Sequence, residues 1–281
     1  MITKNPGIYI VATPIGNLDD ISKRAIDTIQ DADIIICENP KHSLKLLNKL
    51  GIKKKLISLH DYNENEVIHR ISRELSDNKV ILMSDSGSPL ISDPGFKLIK
   101  FCIERHINIT SIPGPSSIIP ALQLSGIPVN DFSFLGFFPK HKKEMLNFVK
   151  KIKAADKTTV FFVSSHKIGT CLELLEVELN DKIVSISKEL TKINEKTFRG
   201  NVIEVKADFF KSKHNFKGEF VMVVEKNSLN QSQKINLKNY EKEAYKLLSK
   251  FSLTDVVEIV HKLTGITKNK VYKWVLKLKN S

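Results

Sequence analysis

Three short segments concentrate the residues with chemistry to offer: Thr13-Pro14-Ile15-Gly16-Asn17, Asp85-Ser86-Gly87-Ser88-Pro89 and Pro113-Gly114-Pro115-Ser116-Ser117. Each mixes glycine and proline with small hydroxyls. Loops of that composition hold a rigid backbone close to a ligand, and their free N–H groups bind polar atoms. Asp85, which ends an apolar run, suits a ribose hydroxyl or an amino group; its alternative role is to cap a turn. Ser92 or Asp93 is expected to cap the following helix, with Pro94 in its first turn, a structural role. The chain has no GxGxxG and no GxxxxGK[ST], which argues against a dinucleotide or P-loop site and for a ligand with few phosphates. Cys37, Cys102 and Cys171 stand singly inside apolar runs and are read as reduced core residues, and the eight His are dispersed, so no metal site is expected.

The elements around these loops alternate. Ile8–Ala12, Ile34–Cys37, Leu56–Leu59, Val80–Met83 and Ile107–Ile112 read as strands that are apolar throughout. Between them lie helical patterns: one opened by Leu18-Asp19-Asp20, then His42–Leu50, Glu64–Leu75 and Phe96–Glu104. Apolar strands spaced by amphipathic helices predict a mostly parallel sheet covered on both faces. In such sheets ligands bind outside the carboxyl ends of the strands, and all three loops fall there. A helix follows Ser117, and the turn-rich stretch 125–131 marks a domain boundary. The second domain reads as strand Phe132–Phe137, helix Lys142–Ala154, strand Thr159–Val163, helix Ile168–Leu179, strand Ile183–Ser187, then strands near Thr197–Val205 and Glu219–Glu225, a mixed sheet. Residues 227–236 are polar and read as a linker. Three short helical patterns end the chain, with a capping box at Ser252–Asp255, a stop at Gly265 and a cap at Thr267. They suggest a helix-turn-helix, against the alternative of a plain helical tail. The fold class is therefore α/β, with domains at 1–124 and 125–228 and a linker plus basic helical domain at 229–281.

The net charge is +13, with 44 basic and 31 acidic side chains. The last 48 residues hold 11 Lys against four acids, a net of +7 and more than half of that excess. A second cluster, Lys140, Lys142, Lys143, Lys150, Lys151 and Lys153, has Glu144 as its near counter-charge. Either cluster alone fits a solvated lysine-rich helix face, whereas the two together favour a polyanion, RNA or DNA. No apolar run approaches the ~20 residues a membrane span requires. The first seven residues lack an apolar core, so no secretory signal is expected and the expected location is the cytoplasm.

Asp85 to Gly95 resembles the SDAGTPxISDPG signature of the bacterial rRNA small subunit methyltransferase I family, 16S rRNA cytidine-2′-O-methyltransferases within the tetrapyrrole methylase superfamily. Val11 to Leu18 is similar to that family's N-terminal loop, and Ile112 to Ser116 to its PIPGPS motif. Leu135 to Pro139 matches the opening of its second domain. Lys188 to Lys192 with Arg199-Gly200 resembles RELTK…RG, and Lys217 to Val221 resembles KGEFV. The resemblance runs in order over nearly the whole chain, including the appended helices. Two departures stand out. Glu38-Asn39-Pro40-Lys41 replaces Glu-Asp-Thr-Arg, and Phe162 to Lys167 replaces Tyr-Glu-Ser-Pro-His-Arg. Two family carboxylates are thus absent, at Asn39 and Val163. Lys41 and Lys167 keep charge but lose the bidentate grip on phosphate. These changes bear on RNA docking and proton relay; the cofactor loops are intact.

The resemblance implies two αβα domains of the tetrapyrrole methylase type with S-adenosyl-L-methionine in the cleft between them. Pro14, Ile15, Asp85, Ser88, Ser116 and Ser117 would line it from the first domain. Val163 or Ser164, Leu190, Gly218 and Glu219 would line it from the second. The implied reaction is attack of a ribose 2′-oxygen on the sulfonium methyl, with Glu189, Lys188, Lys192 and Glu38 as candidate base or cation. Lys140, Lys142, Lys143 and Lys150, with Lys268, Lys270 and Lys273, would hold RNA phosphates. The implied partner is 16S rRNA within the small ribosomal subunit, and the implied state a homodimer. The alternatives are a same-superfamily methyltransferase on a precorrin or diphthine type of substrate, or an inactive RNA-binding ribosome-assembly factor.

Overall fold

The five expected apolar strands of the first half assemble into one parallel sheet. In the computed structural model, which describes residues 5–227, 237–264 and 266–279, the chain runs β1 (Gly7–Val11), α1 (Lys23–Gln30), β2 (Ile34–Cys37), α2 (Pro40–Lys49), β3 (Lys55–Ser58), α3 (Glu64–Ile71), α4 (Glu74–Asp77), β4 (Lys79–Met83), α5 (Phe96–Glu104) and β5 (Ile109–Ile112). The strand order is β3-β2-β4-β1-β5. Because side chains alternate along a strand, the apolar runs feed two cores. Ile8, Ile34, Ile36, Val80 and Leu82 pack with Val67 and Ile71 of α3 and Leu98 and Cys102 of α5. Tyr9, Val11, Ile35, Ile81 and Met83 pack with Ala25 and Ile29 of α1 and Leu47 of α2. Both faces are covered, which is why the inner strands β1, β2 and β4 are almost wholly apolar, whereas the edge strands β3 and β5 carry Lys55, Ser58, Thr110 and Ser111.

The second half continues as α6 (Ile118–Ser125), β6 (Phe132–Phe137), α7 (Lys142–Ala154), β7 (Thr158–Val163), α8 (Ile168–Leu179), β8 (Ile183–Lys188), β9 (Lys196–Asn201), α9 (Val202–Phe210) and β10 (Phe220–Val224). Its sheet is mixed, as expected: the order is β6-β7-β10-β8-β9, with β6 and β7 parallel and the other pairs antiparallel. One face packs on α7, α8 and α9 around Phe161, Phe209 and Met222. The other packs on α6, where Ala121 and Leu122 meet Val160, Val221 and Val223.

Several boundaries differ from the sequence expectation. Leu18–Asp20 is a 3₁₀ turn, and the helix proper starts at Lys23, where the Ser22 side chain accepts the Ala25 N–H. The pattern at 64–75 is two helices, α3 and α4, rather than one. The fifth strand begins at Ile109 rather than Ile107. The largest miss is 197–205. The strand ends at Asn201, which caps a helix through a reciprocal capping box with Glu204, at 2.9 Å and 3.2 Å. The apolar residues Val202 and Val205 look strand-like by composition, but their i, i+3 spacing serves a helix face.

Residues 228–281 form a separate unit. Within it α10 (Glu241–Leu248), α11 (Leu253–Thr264) and α12 (Lys268–Lys279) share a core of Val256, Val257, Val260, Val271 and Val275. Ser252 and Asp255 form the expected capping box, each backbone N–H meeting the other's side chain at 3.3 Å. The expected stop at Gly265 and most of the expected linker lie outside the described residues. Among the described residues no helix is long and apolar enough to cross a membrane.

Asn201→Ala removes the acceptor that starts α9 and is expected to cost about 0.5–2 kcal/mol, whereas Asn201→Gly should cost only a few tenths. Urea unfolding of the two variants checks the contrast.

Candidate functional site

The order β4-β1-β5 places three neighbouring carboxyl ends together, so the three glycine- and proline-rich loops emerge side by side. The backbone then stitches them. Thr13 N–H donates to the Gly87 carbonyl at 2.9 Å, and Gly87 N–H donates back to Thr13 at 3.0 Å. Ser84 Oγ donates to the same Gly87 carbonyl at 2.9 Å. Ser88 Oγ donates to the Pro115 carbonyl at 3.1 Å, tying the second loop to the third. Asp85 is held as well: its Oδ1 accepts the Asn39 N–H at 3.2 Å. Asn39 in turn caps α2, its Oδ1 accepting the Lys41 N–H at 3.1 Å with Pro40 in the first turn.

The second sheet faces these loops. Its strand β10 runs antiparallel to β7 and β8, so the start of β10 lies beside the ends of both. Between the two sets of strand ends is a cleft of about 410 Å³, within the range of small-molecule sites. Ile15, Asp85, Ser88, Ser116 and Ser117 line it from the first half. Val163, Ser164, Leu190, Gly218 and Glu219 line it from the second. Pro14 lies in the first loop but not on the cleft surface. The sequence reading missed the rings of Phe137 and Phe162, the buried Ser187, and Ser92 and Asp93, all of which line the cleft. Ser92 and Asp93 do not cap α5, as had been expected. Gly95 holds the N-cap position, with no side-chain cap. Ser187 had a legible signal, a polar residue alternating with Ser185 in an apolar strand; its Oγ is buried without a hydrogen-bond partner.

The four candidate acid–base groups have different fates. Glu189 Oε1 accepts from Lys192 Nζ at 3.0 Å and from the Glu219 N–H at 2.9 Å. Burial pushes the Glu189 carboxyl up, but those two hydrogen bonds and the charges of Lys192 and Lys188 outweigh it and hold the group below the usual carboxylate range. Burial acts to lower the Lys192 ammonium, yet its contacts to Glu189 and Glu219 raise it above the usual value. Both residues are therefore kept charged, as a clasp at the cleft edge. Gly218 makes that clasp possible: its φ is +118°, and a Cβ there would lie 2.7 Å from Glu189 Cγ. Lys188 Nζ turns away and donates to the His214 carbonyl at 2.6 Å. Glu38 lines a small hollow behind the cleft with Ser84 and Asp93. Desolvation, then the charges of Asp85 and Asp61, raise its carboxyl. Asp93 is pushed up to about 6, first by burial and then by the negative charges of Glu38 and Asp85. Among the described residues no group of His, Cys, Asp and Glu is placed to hold a metal ion.

The lysines read as phosphate contacts fall in two places. Lys140, Lys142, Lys143 and Lys150 are exposed on α7 and its lead-in, and Lys268, Lys270 and Lys273 are exposed on α12.

The family described as Tetrapyrrole (Corrin/Porphyrin) Methylases matches residues 7–206. Ribosomal RNA small subunit methyltransferase I of Haemophilus influenzae is 37% identical over 276 residues, covering 96% of each chain. The protein of the same name from Halalkalibacterium halodurans is 38% identical over 221 residues, covering 78% of this chain and 76% of its own. A diphthine synthase structure superposes with a TM-score of 0.59 at 17% identity, over 78% of this chain and 89% of that one, a likeness of fold.

Asp93 supplies a pH test. Its folded value of about 6 lies above the 3.8 of an unshielded carboxyl. The folded protein therefore holds the proton more tightly between those values and loses stability as pH rises through them. Asp93→Asn, which cannot ionise, is expected to be more stable than the parent above pH ~6, with the gap closing toward pH ~4. Urea midpoints across that range decide it; a gap that does not vary with pH overturns the assignment.

Proposed function

The chain belongs to the tetrapyrrole methylase family, and we propose that it methylates small-subunit ribosomal RNA with S-adenosylmethionine, at the 2′-oxygen of a cytidine ribose in 16S rRNA. The observation that carries this reading is identity of more than a third, over nearly full length, to relatives named for that rRNA. The likeness to a diphthine synthase, at 17% identity, speaks only for the fold. In this reading the protein is a cytoplasmic homodimer with domains at 1–124, 125–228 and 229–281.

The cleft suits S-adenosylmethionine by its own chemistry. Asp85, Asp93 and Glu219 line it, and such carboxylates repel a phosphate while favouring a ligand with an ammonium and a sulfonium. Ser88, Ser116, Ser117 and the unpartnered Ser187 offer hydroxyls, and Leu190, Phe220 and Val221 offer an apolar wall for a flat base. Bound there, S-adenosylmethionine supplies a methyl group already activated for displacement. What remains for the protein is chiefly orientation, worth up to roughly 7–11 kcal/mol of barrier. The stitched loops provide it, since Thr13, Gly87, Ser88 and Pro115 are bonded to one another. Of the proposed acid–base groups, Glu189 and Lys192 act as the clasp that shapes Gly218 and Glu219. Asp93, pushed up to about 6, suits a proton acceptor near neutral pH, and the Glu38 carboxyl beside it is raised in the same direction. The exposed lysines of α7 and α12 take the RNA phosphates.

Glu189→Gln keeps the shape of the clasp and removes its charge. It is expected to raise the KM for S-adenosylmethionine more than it lowers kcat; an unchanged KM sinks the clasp. The function itself is tested by supplying labelled S-adenosylmethionine with small ribosomal subunits, a tetrapyrrole or elongation factor 2. Label on the RNA is expected, and label on either other substrate overturns the reading. RNA binding without any label would instead favour an assembly factor. In the same assay, removing Lys268, Lys270 and Lys273 should reduce the dependence of log K on log salt by roughly 1 per lysine.

A further inference from the structure

The strand β6 contains an irregularity that aims a ring into the cleft. Phe132, Ser133 and Phe134 pair with Thr158, Thr159 and Val160, but Phe137 pairs with Phe162. Three residues on β6 thus oppose two on β7, which is one inserted residue, and Gly136 sits inside the bulge with φ +73°. By simple alternation Phe137 would share the face of Leu135, which packs against the core under α7 and α8. The bulge inverts that parity. Phe138 enters that core at 4% exposure, and Phe137 joins Phe134 and Phe162 on the cleft side.

Phe137 lines the cleft yet remains 59% exposed. Its ring is pinned edge-on against Phe162, with centroids 5.1 Å apart and planes at 61°. Of the other apolar lining residues, Phe162 is half-buried and Ile91, on the first-half side, is 44% exposed, whereas Ile15, Ile118, Val163, Leu190, Phe220 and Val221 are at most 9% exposed. A small ligand swallowed by the cleft meets those; a group that arrives attached to a polymer meets the rim. Immediately after Phe137 the chain presents exposed Lys140, Lys142 and Lys143. Lys140 is within about 10 Å of chain from the ring, the scale of a nucleotide and its phosphate.

We propose that Phe137, set by the Gly136 bulge and backed by Phe162, is the platform on which the unstacked base of the target nucleotide sits, with Lys140, Lys142 and Lys143 on the flanking phosphates. This rests on RNA being the substrate. The ring takes the base face irrespective of base identity, and the ammonium groups take the backbone, so the site positions the ribose at the cleft mouth and leaves sequence choice to other contacts.

The test compares Phe137→Ala, Phe137→Leu and Phe137→Trp. Leucine keeps packing against Phe162 without a π face, and tryptophan keeps the face. Three quantities are read: the affinity for S-adenosylmethionine by calorimetry, and the KM and the binding affinity for unmethylated small ribosomal subunits. The alanine and leucine variants are expected to bind subunits about tenfold more weakly, by the same factor at low and high salt. Their affinity for S-adenosylmethionine should stay within about twofold, and tryptophan should restore the parent values. A Lys140→Ala variant should instead lower the salt slope. Weaker S-adenosylmethionine binding in the alanine and leucine variants would assign the ring to the adenine of the cofactor and overturn the proposal. Unchanged subunit affinity would overturn it as well. If the parent protein labels no RNA, the proposed reaction fails, while equal subunit binding by parent and Phe137→Ala separately decides against the platform.

Discussion

The site depends on one backbone exchange, the pair of hydrogen bonds between Thr13 and Gly87. Parallel strands end with their carbonyl and N–H groups unpaired, and a loop buried there must find partners or lose stability at each orphan. Because β1 and β4 are neighbours, their loops satisfy each other. The Ser84 hydroxyl adds a second donor to Gly87, and Ser88 carries the chain of bonds to Pro115. Loops of glycine, proline and small hydroxyls are thus tied to one another here, through Thr13, Ser84, Gly87, Ser88 and Pro115.

Charge is divided along the same lines. Asp85, Asp93 and Glu219 face the cleft, with Glu38 just behind it, whereas the lysine excess lies on α7 and on the C-terminal helices. Close, buried carboxylates are destabilising in isolation: burial first, and then the neighbouring negative charges, raise the Asp93 and Glu38 carboxyls. Such a concentration persists where it meets a cation, and a sulfonium-bearing ligand is one. Within the first unit, carboxylates in the cleft and lysines on α7 and its lead-in suit a cationic cofactor and a polyanionic substrate respectively.

The sequence made the first sheet legible because its strands are buried on both faces, and continuous apolar runs leave little ambiguity. The first-half wall of the cleft was legible through Asp85, Ser88, Ser116 and Ser117 for a related reason: the glycine, proline and small hydroxyls of these loops mark them out from the apolar runs around them. What stayed hidden depended on register and on long-range charge. Phe137 cannot be assigned to the cleft by alternation, since a single inserted residue reverses the parity. Asp93 reads as a helix cap until the fold sets it beside Glu38 and Asp85. The helix α9 was hidden because Val202 and Val205 suit a strand by type, and only the Asn201–Glu204 pair marks the helix start.

The positions where the chain departs from the family pattern take roles that local physics explains. A side chain that starts α2 must accept an N–H from the first turn, and Asn39 does so while its own N–H holds Asp85. The amide thus serves the geometry of the cleft without adding a fourth carboxylate to Glu38, Asp85 and Asp93, two of which are already raised, first by burial and then by the charges of their neighbours. Val163 is 2% exposed at the end of a central strand, and an apolar side chain there carries no desolvation cost. Both changes lower the density of negative charge around the cleft, where Asp85 is fixed by the Asn39 N–H and Glu219 by Lys192. Asp85 and Glu219 thus stand in the cleft wall with neighbours that hold them in place, and of the two positions that differ Val163 adds an apolar surface to the same wall.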